Sequence, residues 1–310
     1  MPGNNSFQLS ALAPFRLDLT AWVLRRRPDN ALDRWDGRVY RRVLAVEGQQ
    51  PFEIAVSQSG AADAPKLDVS ISGAELEEAA KAEAASAVQR LLGIHIDLGS
   101  FHQRAESDAM LRPLADQFCG FKPPRFLTPF EALVNAMACQ QLTLTVGIRL
   151  LNRLAEAYGA KLATRDGVAH AFPRPQDLAK ADVEDLRRMG FSYQKARYIT
   201  GLARSVSEGE LDLGRLESMD DEQAVRWLLG LKGVGRWTAE YCLLRGLGRT
   251  HVFPGDDVGA RNHLQRWLGL EQPMSYAQVH KALERWKGYG GLVYFHLLLK
   301  SLVERGMLES

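Results

Sequence analysis

The stretch Leu228-Leu229-Gly230-Leu231-Lys232-Gly233-Val234-Gly235-Arg236-Trp237-Thr238-Ala239-Glu240-Tyr241 constrains the chain most. It reads as helix, tight hairpin, helix. Asp221 and Glu222 open the first helix, where the positive end of the dipole favours acids. Ala224, Val225, Leu228 and Leu229 supply its apolar stripe. The glycines on either side of Val234 permit positive φ and let the backbone approach another molecule closely. The second helix starts near Arg236, so its first amides have no partner inside the helix. Free amides at a helix start, with no side chain in the way, bind phosphate. The same residues also fit a glycine turn between two core helices.

The following segment, His251-Val252-Phe253-Pro254-Gly255-Asp256-Asp257, separates these readings. A glycine hairpin, then a Pro/Gly loop, then an aspartate resembles the helix-hairpin-helix DNA glycosylase superfamily. Gly233 to Tyr241 is most similar to bacterial 3-methyladenine DNA glycosylase II, and Asp257 follows Trp237 by 20 positions, as in that branch. The resemblance runs from about Pro14 to the C-terminus, and its specific part begins at Thr128.

The chain has 310 residues, 46% hydrophobic and 25% charged, with a net charge of +2. That describes a soluble globular protein with room for two or three cores. Its charge permits a local basic face without demanding nucleic acid. Cys119, Cys139 and Cys242 have neither metal-site spacing nor a disulfide framework. No metal or other cofactor is expected, and the resemblance leaves open a monovalent cation at the hairpin. The polar start lacks the plan of a signal peptide, and no apolar run would span a bilayer. A cytoplasmic monomer acting on double-stranded damaged DNA is the expectation.

The predicted fold class is mainly α with an N-terminal α+β domain. Residues 1–13 read as a tail. Residues 14–94 read as an antiparallel sheet covered on one side, with strands at Phe15–Leu19, Val39–Val46, Phe52–Val56 and Leu67–Ile71. Asp36-Gly37 signals a hairpin, Ala21–Arg25 a short helix, and Ala74–Leu92 a longer one. Residues 95–310 read as an all-α body holding the hairpin (222–246) and the aspartate loop (251–257). In it Thr128, Pro129 and Glu131 form a capping box for a helix that ends at Gln140-Gln141.

Releasing a base leaves an oxocarbenium-like sugar, which a carboxylate stabilises while it orients or deprotonates water. By the resemblance Asp257 is that catalytic group, and Asp256 reads as the better N-cap of the next helix. Trp237 and Tyr241, four apart, share a helix face; core packing is the other reading of the pair. An electron-rich ring attracts a cationic alkylated base, so they are the expected base pocket. The family's further pocket tryptophan corresponds here to Leu298, and Tyr294 or Phe295 are alternative aromatics. The resemblance places DNA contacts at Lys232, Gly233, Val234, Gly235 and Thr238, and a duplex-inserting residue at Gln140 or Gln141, where some relatives have an apolar wedge. Lys195 and Arg197 face either phosphate or solvent. Relatives that also cut the strand use a lysine where this chain has Trp237. The resemblance therefore implies a monofunctional enzyme acting on alkylated purines of the 3-methyladenine and 7-methylguanine type. An oxidised-base glycosylase with lyase activity and a DNA-binding module without chemistry are the alternatives.

Overall fold

The computed structural model describes residues 5–73 and 78–308. Five antiparallel strands, β1 (Ser6–Ser10), β2 (Arg34–Trp35), β3 (Val39–Leu44), β4 (Phe52–Gln58) and β5 (Lys66–Ser72), form one sheet in the order β1-β5-β4-β3-β2. The expected tail thus supplies an edge strand, with Phe7 opposite Val69. The β2–β3 turn follows its sequence signal: Gly37 has φ 98°, and the Asp36 carboxylate accepts from the amides of Arg38 and Val39. Leu67, Val69 and Ile71 alternate inward along β5. β3 departs from the one-sided expectation: Tyr40 to Leu44 are all buried, because a second hairpin covers the far side of the strand at Val43.

The segment expected as a strand at Phe15–Leu19 instead leads into helix α1 (Leu17–Arg25). α1 is wedged between two cores. Leu17, Ala21 and Leu24 face the sheet, while Leu19 and Val23 face the helical body. Apolar residues on both sides of the helix imitate a two-residue period. α2 (Glu78–Leu92) closes the sheet domain; its expected start at Ala74 falls outside the described residues.

The body continues with α3 (Gly99–Glu106) and α4 (Leu111–Gln117), parted by Asp108, whose carboxylate accepts from the amides of Met110 and Leu111. Next come α5 (Pro129–Cys139) and α6 (Leu144–Tyr158). Thr128 caps α5 as predicted, but the reciprocal half of the box is missing. The Glu131 carboxylate is turned instead to Arg42, 2.6 Å away, and Arg42 also holds Asp33 at 2.6 Å. This buried triad fastens the sheet to α5. The body is also not all-α, since strands β6 (Lys161–Thr164) and β7 (Gly167–His170) form the hairpin that places Ala169 and Ala171 against Val43. Two short helices follow, α7 (Pro175–Leu178) and α8 (Val183–Arg188), the second capped by Asp182.

α9 (Tyr193–Ser207), α10 (Asp221–Leu229) and α11 (Arg236–Arg245) complete one helical core with α5 and α6. α12 (Val258–Trp267), α13 (Tyr276–Leu283) and α14 (Gly290–Glu304) build the other with α3, α4 and one side of α1. Among the described residues no helix is long and apolar enough to cross a membrane.

Candidate active site

The hairpin between α10 and α11 has the predicted form, with a different division of labour among its glycines. Gly233 has φ 84°, and a Cβ there would stand 2.4 Å from the Tyr198 ring. Gly235 has φ −98° and ψ 178°, an extended conformation open to any residue, and nothing lies within 4 Å of a Cβ built on it. Its value is the space it leaves. Gly235 is the N-cap of α11 and provides no side-chain cap, so the first amides of that helix stay uncovered. Val234 is buried as the plug and Lys232 is exposed.

Two residues expected at the DNA surface face each other inside the protein. The Gln140 amide donates to the Gly233 carbonyl (2.9 Å) and to the Thr238 hydroxyl (2.8 Å), and Thr238 is buried. They brace α5 against the hairpin. Lys195 is likewise turned inward, donating to the carbonyls of Ala138 and Gln140 at the end of α5. The residues that project are Gln141, exposed with φ 54°, and Leu142, 42% exposed.

α11 carries the aromatic pair. Trp237 and Tyr241 lie 5.4 Å apart, tilted by 35°. The Trp237 indole N–H donates to Asp257 Oδ2 at 3.2 Å, and the Ala260 amide donates to Asp257 Oδ1 at 2.9 Å. Asp257 is therefore the N-cap of α12, the role expected of Asp256. The Asp256 carboxylate instead pairs with Arg236 at 2.7 Å, and that guanidinium lies 3.7 Å from the Tyr276 ring centroid. Capping does not remove Asp257 from chemistry. It is half-buried, and two N–H groups fix both of its oxygens.

The loop that presents Asp257 is anchored by Glu240, whose Oε2 accepts from the Gly255 amide (3.0 Å) and Oε1 from the Tyr276 hydroxyl (2.6 Å). Burial raises the Glu240 pKa against the opposing pull of these two hydrogen bonds. A Cβ on Gly255 would come 2.7 Å from Tyr276, so the loop lies flush on that ring.

Of the aromatics on α14, Phe295 is fully buried in the core. Tyr294 is half-buried and lies near Asp257 and Tyr241. Burial first, then the charge of Asp257, hold its pKa well above the ordinary range. Leu298, one turn later, is half-buried and packs on the core around α14. The site also contains groups that spacing alone did not single out. Arg26, at the C-cap of α1, donates to Asn135 Oδ1 (2.6 Å) and to the Tyr241 hydroxyl (3.3 Å). Arg245 lies beneath, 5.0 Å from the Phe126 ring centroid. Arg26 stands in the run Arg25-Arg26-Arg27 at a helix end, and no periodicity marks its middle member as buried.

The constellation is a half-buried carboxylate beside an aromatic pair, next to an uncovered helix start. The family described as HhH-GPD superfamily base excision DNA repair protein matches residues 134–288, which is half the chain and includes the hairpin, the aromatic pair and the aspartate loop. The Bacillus subtilis (strain 168) protein YfjP is 27% identical over 96% of this chain and 99% of its own length. The Escherichia coli (strain K12) protein named DNA-3-methyladenine glycosylase 2 is 33% identical over 57% of this chain and 60% of its own. In fold, the chain is similar to the solved 3-methyladenine DNA-glycosylase of Archaeoglobus fulgidus, with TM-score 0.82, 24% identity and coverage of 94% and 97% of the two chains. This protein belongs to the HhH-GPD superfamily of base excision DNA repair proteins.

Proposed function

We propose that the protein is a monofunctional DNA glycosylase that hydrolyses the N-glycosidic bond of alkylated purines in duplex DNA, as a monomer and without a cofactor. The observation that carries this reading is the fixed Asp257 carboxylate at the edge of the Trp237–Tyr241 pair. The hairpin amides and Gly235 suit a DNA phosphate, a contact that positions the duplex without reading its sequence. Gln141 or Leu142 fills the gap left when the damaged nucleotide turns out of the stack. The base then stacks on Trp237 and Tyr241. As the glycosidic bond breaks, Asp257 stabilises the positive sugar and orients the attacking water. A DNA-binding module without chemistry would use Asp257 only as the cap of α12; the second bond, from the Trp237 indole to Oδ2, favours the catalytic reading.

The hydrolytic reading rests on the indole at position 237, which cannot form a Schiff base. Lys232 is exposed on the hairpin, and Lys195 is occupied by backbone carbonyls. The test is incubation with methylated duplex DNA, with chromatography of the released bases and with borohydride present in a parallel reaction. Free methylated purine and an intact strand, cut only by added alkali, are expected. A borohydride-trapped protein–DNA adduct would overturn the hydrolytic mechanism and direct attention to Lys195 and Lys232.

A further inference from the structure

A tyrosine hydroxyl taken partly out of water usually finds a hydrogen-bond partner. Tyr40, Tyr158 and Tyr276 follow that rule, donating to the carboxylates of Asp33, Asp185 and Glu240. Tyr294 does not. It stands on α14, which is buried from Gly290 to Leu299 except at Tyr294 and Leu298. These two are four apart and share one face of the helix. The Tyr294 ring meets Phe253 of the aspartate loop edge to face, with centroids 5.8 Å apart, and Phe295 at 5.5 Å. Its hydroxyl makes no hydrogen bond to a described residue and is open to solvent. The charges and dipoles acting on it come from Asp257, Tyr241, Arg245 and Arg26, all groups of the site described above. It is not bonded to Asp257, whose two oxygens receive the Trp237 indole and the Ala260 amide. The site therefore holds a free phenol between its carboxylate and its aromatic pair.

We propose that Tyr294 is a further catalytic residue, which donates a hydrogen bond to the departing base and so extends excision to purines that carry no positive charge. When the C1′–N9 bond breaks, its electron pair goes to the purine. A cationic methylated purine leaves neutral and needs no donor. An uncharged purine leaves as an anion, and a donor already in place beside it lowers the barrier. Water bonds to C1′ and gives its proton to Asp257, and a proton from solvent completes the departed purine. The phenol acts by its hydrogen bond and keeps its own proton, because burial and then the charge of Asp257 oppose ionisation. The faces of Trp237 and Tyr241 attract a cation and offer an anion nothing, so the hydroxyl supplies what the aromatic pair lacks. The inference rests on the proposed glycosylase reading and adds a second class of substrate to the same site.

Two purines that share a carbonyl edge and differ in charge isolate the effect: 7-methylguanine, a cation, and hypoxanthine, which is neutral. Each is placed once in a duplex of the same sequence, and single-turnover release is measured for wild type and Tyr294→Phe. The variant keeps the ring and its packing and loses only the hydroxyl. The ratio of the two rates within one preparation cancels enzyme concentration and partial unfolding. In Tyr294→Phe hypoxanthine release should fall about tenfold or more, the worth of one hydrogen bond to a charged group, while 7-methylguanine release stays within about threefold of wild type. A tyrosine that only packs would slow both bases in parallel or neither, and either result overturns the proposal. So would a wild-type protein that releases 7-methylguanine and no hypoxanthine. A wild-type protein that releases neither of these bases, nor 3-methyladenine from methylated duplex, would instead overturn the glycosylase reading beneath it.

Discussion

The hairpin and the aspartate loop are joined by a single helix, α11, and they are built on opposite principles. At the hairpin the chain exposes backbone. Gly235 meets nothing, no side chain caps the helix, and the one bulky neighbour, Tyr198, sits under Gly233 on the protein side. In the loop the structure leaves little free. Glu240 holds Gly255, Tyr276 floors the turn, Arg236 holds Asp256, and Trp237 with Ala260 holds Asp257. An open cradle of amides suits a ligand whose sequence does not matter. A carboxylate that must meet a short-lived charge has to be in place beforehand, because reorganising it during the reaction would cost the rate.

That contrast predicts different failures. Asp257→Asn keeps the size and the cap but removes the charge, so single-turnover excision should fall by about three orders of magnitude, about 4 kcal/mol of transition-state stabilisation. Affinity for lesion DNA, read by fluorescence anisotropy, should hold. Gly235→Asp places a carboxylate where phosphate should sit. Binding to damaged and undamaged duplex alike should weaken about tenfold, and the salt dependence of binding should lose about one phosphate contact. A loss confined to lesion DNA would assign the hairpin another role. Glu240→Gln leaves either the Gly255 amide or the Tyr276 hydroxyl without its acceptor, at a cost of about 1–3 kcal/mol in stability. Its melting temperature should drop and its excision slow by about tenfold, with nonspecific affinity unchanged. Leu142→Ala should give the smallest effect, a few-fold slower excision from duplex and none from single strands, where no gap opens.

The elements carried by local chemistry were legible in the sequence. Thr128-Pro129 starts α5, Asp36-Gly37 turns β2 into β3, and the glycine hairpin lies between two helices as read. The misreadings share one cause, which is that a partner distant in sequence decided the outcome. The first turn of α1 looked like part of a strand because two cores sandwich the helix, and Glu131 left its capping box for Arg42. Asp257 rather than Asp256 caps α12 because Arg236, twenty positions upstream of Asp256, took the Asp256 carboxylate. Gln140 and Thr238 turned inward for the same reason. The aspartate and the aromatic pair could be found from motif spacing. Arg26 could not, since only the packing of α1 against α5 and α11 brings it to Tyr241.

The most direct test of the division between hairpin and loop is a double-mutant cycle. Asp257→Asn, Gly235→Asp and their combination are compared for duplex affinity and for single-turnover excision at saturating protein. Sites that share no partner add to within about 0.5 kcal/mol. The double variant should therefore bind as weakly as Gly235→Asp alone and cut as slowly as Asp257→Asn alone. A coupling above about 1 kcal/mol in either measurement would show that grip and chemistry are one device, and would contradict the account.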